Sequence, residues 1–216
     1  MTRTGSAWGT RRTRLAGHDG TMRDEAAVCS RSGQVIENPV SGERIVIRET
    51  GAQTGGALLA WELFLAPGGR VPSSHAHPEQ SERFTVVAGL MRLRINGRRT
   101  TLRPGQSILV TPGQVHSFAN PGEQTAQVLV ETRPALGMED LLETAAAMAS
   151  GTLHSTRLLP SVPRPHELVL FMRDFEREVR APYLPAALVR GVLRPLAWLI
   201  RRCGLDGRYR GWRPGR

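Results

Sequence analysis

A chain of 216 residues, 40% of them hydrophobic, can bury one core of ordinary size plus extensions, and it holds no run of about eighteen apolar residues that could cross a membrane as a helix. The formal charge of +10 is concentrated at one end: residues 151–216 hold thirteen arginines against five acids, while residues 31–150 hold eleven of each, and the chain has no lysine. Without a helix-turn-helix, zinc-finger or aromatic RNA-binding signature this charge makes no case for sequence-specific nucleic-acid recognition, and Cys29 and Cys203, far apart, form no disulfide framework and suit a reducing cytoplasm.

Residues 1–30 are rich in Arg, Thr and Gly and lack the apolar stretch of a secretory signal, so they read as a disordered arm. Strand-like alternation then covers Glu43–Thr50 and Ala57–Ala66, with a loop at 51–56 between them. Further short strands are predicted at Phe84–Ala88, Leu90–Ile95, Arg99–Arg103, Ser107–Thr111, Val115–Ala119 and Gln124–Thr132, with Asn96-Gly97 as a hairpin turn. Such short strands, punctuated by Gly, Pro and Asn, indicate an antiparallel barrel or sandwich.

The chain changes character after Arg133-Pro134. Met138–Ser150 reads as a helix, Pro160–Pro165 as a connector, and His166–Arg180 as a second helix with the apolar stripe Leu168, Phe171, Met172, Phe175 and Val179. A third helix is predicted over Ala186–Cys203, kinked by Pro195. Its wheel gathers Leu188, Val189, Val192, Leu193, Leu196, Leu199 and Ile200 on one side and Arg190, Arg194 and Arg201 opposite. The favoured expectation is that this helix packs on the barrel or on a second subunit and leaves its arginines in water. The alternative lays it on an anionic membrane, with Trp198 and Trp212 near the headgroups.

Four residues carry the chemistry. Side chains in an extended segment alternate between faces, so His75 and His77 point to one side and Ala76 to the other. Glu82 follows His77 by an odd number of residues, so Pro78-Glu79-Gln80-Ser81 must turn or bulge to return it to the same face. His116, beyond the hairpin, joins only if the sheet closes on itself. Three imidazoles and a carboxylate suit one divalent transition metal, and Fe(II), Mn, Ni, Cu, Co or Zn would each accept that set. His18, His154 and His166 have no spaced partner and read as surface residues.

The spacing Gly69, five residues, His75-Ala76-His77, four residues, Glu82, six residues, Gly89 resembles the first motif of the cupin superfamily, and Gly105 through Asn120, with His116, resembles the second. One departure is Thr111 where that motif places proline, with Pro112 directly before Gly113. The resemblance implies a mainly β fold, a single cupin double-stranded β-helix (jelly-roll barrel) over residues 31–136, followed here by a basic extension of about three helices over 137–216. It implies His75, His77, Glu82 and His116 as metal ligands, and a homodimer. Trp61, Phe84, Val86, Met91, Leu93 and Phe118 are candidates for an apolar substrate wall. The expected function is a mononuclear metal-dependent oxygenase of a small organic molecule, quercetin-dioxygenase-like, in which Glu82 doubles as a base. Alternatives are a non-redox isomerase, decarboxylase or lyase, and a non-catalytic ligand-binding module.

Overall fold

The computed structural model describes residues 31–153 and 163–213, apart from Pro72 and positions 183, 184, 186 and 188. The expected arm, with His18 and Cys29, lies outside the described residues, as do His154 and part of the 160–165 connector.

Nine strands are described: β1 (Val35–Asn38), β2 (Glu43–Glu49), β3 (Leu59–Leu65), β4 (Ser81–Ala88), β5 (Met91–Ile95), β6 (Arg98–Leu102), β7 (Ser107–Val110), β8 (His116–Ala119) and β9 (Ala126–Arg133). They pair antiparallel in two sheets, ordered β1-β2-β3-β9-β4-β7 and β6-β5-β8. This is the expected mainly β architecture of antiparallel strands in a sandwich. Period-two alternation sends Glu82, Phe84 and Val86 of β4, Met91 and Leu93 of β5, and Val128 and Val130 of β9 inward to one shared core. β1 was not anticipated: four residues with Ile36 alone buried show no periodicity, and the strand exists through its pairing with β2.

Two turns follow from residue chemistry. Asn96 (φ 48°) and Gly97 (φ 85°) both adopt positive φ, the type I′ geometry that joins Ile95 to Arg98. Gly89, after β4, has φ 73°, and a Cβ there would lie 2.8 Å from Ala126 Cα and 2.9 Å from Thr125 O. Gly89→Ala is therefore expected to lose about 1–3 kcal/mol of stability from backbone strain, before any cost of the clash. Denaturant unfolding that matches the parent protein would show that the turn can relax.

Beyond β9 the chain forms α1 (Met138–Leu153), α2 (Pro165–Asp174), a π-helical turn (Val189–Leu193), α3 (Arg194–Arg202) and α4 (Gly207–Arg210). Met138, Leu141 and Ala146 of α1 enter the barrel's core, and Arg31 fastens the start of this helix through Asp140 (2.9 Å) and Glu139 (3.4 Å). The second helix is shorter than its stripe predicts. The chain leaves it at Phe175, turns, and by Arg180 is extended, exchanging backbone hydrogen bonds with Ala76 at 2.8 and 3.0 Å. Long-range pairing overrides a helical pattern that would have continued to Val179.

The third helix is also corrected. The π-turn takes the place of the expected kink, directly ahead of Pro195, whose ring nitrogen has no hydrogen to donate. Ala197 and Ile200 face inward onto Met148, Leu170 and Tyr209, whereas Val192, Leu196 and Leu199 are exposed and Trp198 is 64% exposed. Nor do the arginines face only water: Arg194 pairs with Glu176 (2.6 Å) and Arg201 with Asp174 (2.5 Å). The apolar circumference is wider than α2 can cover, and two acids at the end of α2 draw the arginines inward. Leu188 lies outside the described residues. No described helix is long and apolar enough to cross a membrane.

Candidate metal centre

His75 and His116 are backbone neighbours: the N–H of each donates to the carbonyl of the other, at 3.0 and 2.8 Å. His77 follows two residues on, so the three rings converge, with centroids 4.4 Å apart for His75 and His116, 5.0 Å for His75 and His77, and 5.1 Å for His77 and His116. Glu82 arrives as the second residue of β4. The odd spacing is absorbed by a bend at Pro78-Glu79, fixed by the buried Gln80, whose amide donates to the carbonyls of Pro134 and Ala135 at 2.9 Å each.

Each ring is oriented by a backbone carbonyl, which can only accept. His75 Nδ1 donates to Ser73 O (3.2 Å), His77 Nδ1 to Glu178 O (2.5 Å) and His116 Nδ1 to Gln114 O (3.2 Å). Each Nε2 is thereby left as a lone-pair donor. One ligand atom from each histidine lies within 4.8 Å of the others. Glu82 Oε2 lies 3.1 Å from His77 Nε2 and 3.3 Å from His116 Nε2, while its Oε1 accepts from the Thr132 hydroxyl at 3.3 Å.

These contacts test the fit of a metal. His77 Nε2 and His116 Nε2 are buried with no hydrogen-bond partner: Glu82 lies close to both but makes no aligned hydrogen bond with either. Orphaned buried nitrogens are costly, and a cation would satisfy both. Two donors about 2.1 Å from a common ion stand about 3.0–3.4 Å apart, the separation of Glu82 from the two nitrogens.

Buried together, these groups also displace one another's proton affinities. Burial pushes His75 down to about 3, helped by His116 and His77 beside it. Burial would raise Glu82, but His77 and His116 outweigh it and hold the carboxyl well below its ordinary range. Burial would likewise lower His77, and Glu82 reverses the direction.

The centre opens into a cavity of about 350 Å³. Trp61, Val71 and Phe118 wall it from the barrel, Met138, Leu141, Leu142, Ala145 and Met148 from α1, Leu168 and Phe171 from α2, and Val179 from the turn beyond. Of the anticipated wall residues, Trp61 and Phe118 line this space. Phe84, Val86, Met91 and Leu93 do not: they are at most 1% exposed and belong to the closed core. Phe84 instead backs the centre, its ring 6.1 Å from that of His116.

Sequence reading missed three participants. The helical wall appeared only as an amphipathic stripe, and the Glu178 carbonyl left no signal at all. Glu43, on β2 at the cavity, also went unnoticed; burial pushes its carboxyl above the ordinary value although the Ser41 hydroxyl donates to it.

The remaining motif residues are structural. Asn120 donates its amide to Leu65 O and Gln124 O, at 2.9 and 2.7 Å, and its backbone N–H to Gly69 O at 2.9 Å, which ties the end of the second motif to the start of the first. The departure at Thr111-Pro112 makes a turn with Gly113 at φ 80°, anchored by the Gly113 N–H on His77 O at 2.8 Å.

The cupin domain family model matches residues 61–131. A mannose-1-phosphate guanylyltransferase of Sinorhizobium fredii is 33% identical over 84 residues, covering 38% of this chain and 16% of that protein. The tetracenomycin polyketide synthase protein TcmJ of Streptomyces glaucescens is 33% identical over 70 residues, 32% of this chain and 46% of that protein. Each match thus spans less than half of the relative's length. A solved RmlC-like cupin from Shewanella frigidimarina resembles the chain at 24% identity and a TM-score of 0.40, over 48% of this chain and 86% of that one. Residues 61–131 thus carry the match to a cupin domain, and the three histidines within them are positioned to bind a metal ion.

Proposed function

We propose that this protein is a mononuclear metal-dependent oxygenase of a small, apolar, ring-bearing molecule. The observation that carries the reading is the cavity: it leads to the histidine cluster, is walled by aromatic and aliphatic side chains, and among the described residues has no arginine in its lining. A sugar phosphate would find no guanidinium among the described lining residues, whereas a hydroxylated polycycle would bury its rings and direct a hydroxyl at the centre. Similarity to a tetracenomycin polyketide synthase protein points the same way.

His75, His77, His116 and Glu82 would hold the ion. Bound there, it would supply a Lewis acid and, if redox-active, an electron path to dioxygen. The chain does the rest. Trp61, Phe118 and the helical wall orient the rings and exclude water; Glu82, steadied by Thr132, is placed to take a proton from a substrate hydroxyl.

A second reading, non-redox isomerisation or lyase chemistry, is favoured by one observation. Glu82 and Glu43 share the cavity with pKa values displaced in opposite directions, as a base and an acid would be. Oxygen uptake by the Fe(II)-loaded protein with a panel of hydroxylated polycycles separates the two. We expect uptake that is lost in His75→Ala/His116→Ala; uptake that survives this change would sink the oxygenase. Turnover under strict anaerobiosis, abolished by Glu43→Gln, would establish the second reading instead.

A further inference from the structure

Residues 83–122 contain six arginines and no acid, so the barrel's neutral total conceals a separation of charge. Register brings four of the chain's arginines together on one surface. Arg92 and Arg94 alternate with buried Met91 and Leu93 and therefore share the outer face of β5. Arg94 stands directly across from Arg99 on β6. On the other side Arg92 and Arg94 face Ala119 and Ser117 of β8, and Arg70 bridges Ala119 in turn. All four arginines are exposed, and together with the short side chains of Ser117 and Ala119 they line a trough of about 340 Å³.

The contrast with the other sheet is direct. There Arg44, Arg48, Arg83 and Arg133 each have a carboxylate at 2.7–3.9 Å. Among the described residues no ion pair reaches Arg70, Arg92, Arg94 or Arg99. Like charges side by side on a sheet oppose folding, so this grouping has no structural reason.

It has a chemical one. A guanidinium offers a planar fork that binds phosphate bidentately. Neighbouring strands lie about 4.8 Å apart and residues i and i+2 about 6.7 Å apart. One oxyanion can therefore bridge Arg94 and Arg99 while a second, linked to it, meets Arg92 and Arg70. Bases would find no platform here, because the ring of Phe118 is turned inward and is 7% exposed.

We propose that the outer face of β6-β5-β8 binds a small ligand carrying two or more linked phosphate groups, held by Arg70, Arg92, Arg94 and Arg99. Val71 and Phe118 line both this trough and the metal cavity, so the two sites share a wall. The proposal stands independently of the oxygenase reading.

The test is calorimetric titration of the full-length protein with inorganic tripolyphosphate and with orthophosphate, at constant physiological ionic strength. We expect saturable binding of tripolyphosphate, weaker binding of orthophosphate, and about a tenfold loss in Arg92→Gln/Arg94→Gln, from the contacts removed. Arg202→Gln, an exposed charge on α3, should bind as the parent does. The double variant should melt no lower than the parent, since repulsion is removed, which keeps misfolding out of the result. Absence of saturable binding, or an equal loss in Arg202→Gln, would overturn the proposal. So would binding confined to duplex DNA or to phosphatidylglycerol vesicles, which would make the face a contact for an extended polyanion.

Discussion

His75→Ala/His116→Ala is expected to purify without metal, where the parent protein holds about one equivalent of a divalent transition ion per chain, the load that one site of this donor set can take. The two substitutions remove two of three inward nitrogens and leave His77 and Glu82, which alone cannot complete a site. They should not unfold the metal-free protein. The site holds three imidazoles crowded within 5.1 Å of one another and two unpartnered buried nitrogens, so loss of two rings removes strain along with packing. Elemental analysis beside thermal melts with and without added metal gives the answer. At a free metal concentration about a hundred times Kd the parent should gain about 2.7 kcal/mol and the variant nothing. A parent protein that refuses Fe(II), Mn(II), Ni(II), Cu(II), Co(II) and Zn(II) alike would remove the metal from every reading above.

Deleting residues 137–216 should be nearly as damaging, although it spares every candidate ligand. The core would lose Met138, Leu141, Ala146 and Phe175, and the cavity would become an open apolar groove prone to association. His77 would also lose the Glu178 carbonyl that fixes its tautomer. Removing such an orienting partner typically costs about 10–100-fold in metal affinity. Arg180→Pro probes this last effect in the full-length chain: together with the Arg180 side chain it removes the N–H donated to Ala76 O at 2.8 Å, and so loosens the segment that presents the carbonyl. Metal affinity unchanged in both variants would reduce the extension to a passive cover.

How far the sequence was legible depended on the range of the interactions. Alternation located most strands of the sheets, and Asn96-Gly97 located a turn, because period and turn chemistry are local. The four-residue β1 is too short to carry a period. For Phe84, Val86, Met91 and Leu93, alternation gave the correct face but not the depth: all four point inward, yet they sit below the cavity rather than on it. The stripe on 166–180 correctly marked apolar residues without marking where the helix stops, since the hydrogen bonds that end it come from Ala76. On α3 a helical wheel could show an apolar side but not how much of it a neighbour covers.

The bond from His77 to Glu178 spans 101 residues. At ordinary rates of synthesis this interval takes about 5–20 s, during which the nascent chain already displays His75, His77, Glu82 and then His116. A product truncated by stalling or by a protease before residue 178 would carry all four candidate ligands yet lack the atom that sets one of them. The affinity of this site for an ion would therefore depend on chain made long after its candidate ligands, and a product that stops short of Glu178 would hold the ion about 10–100-fold more weakly.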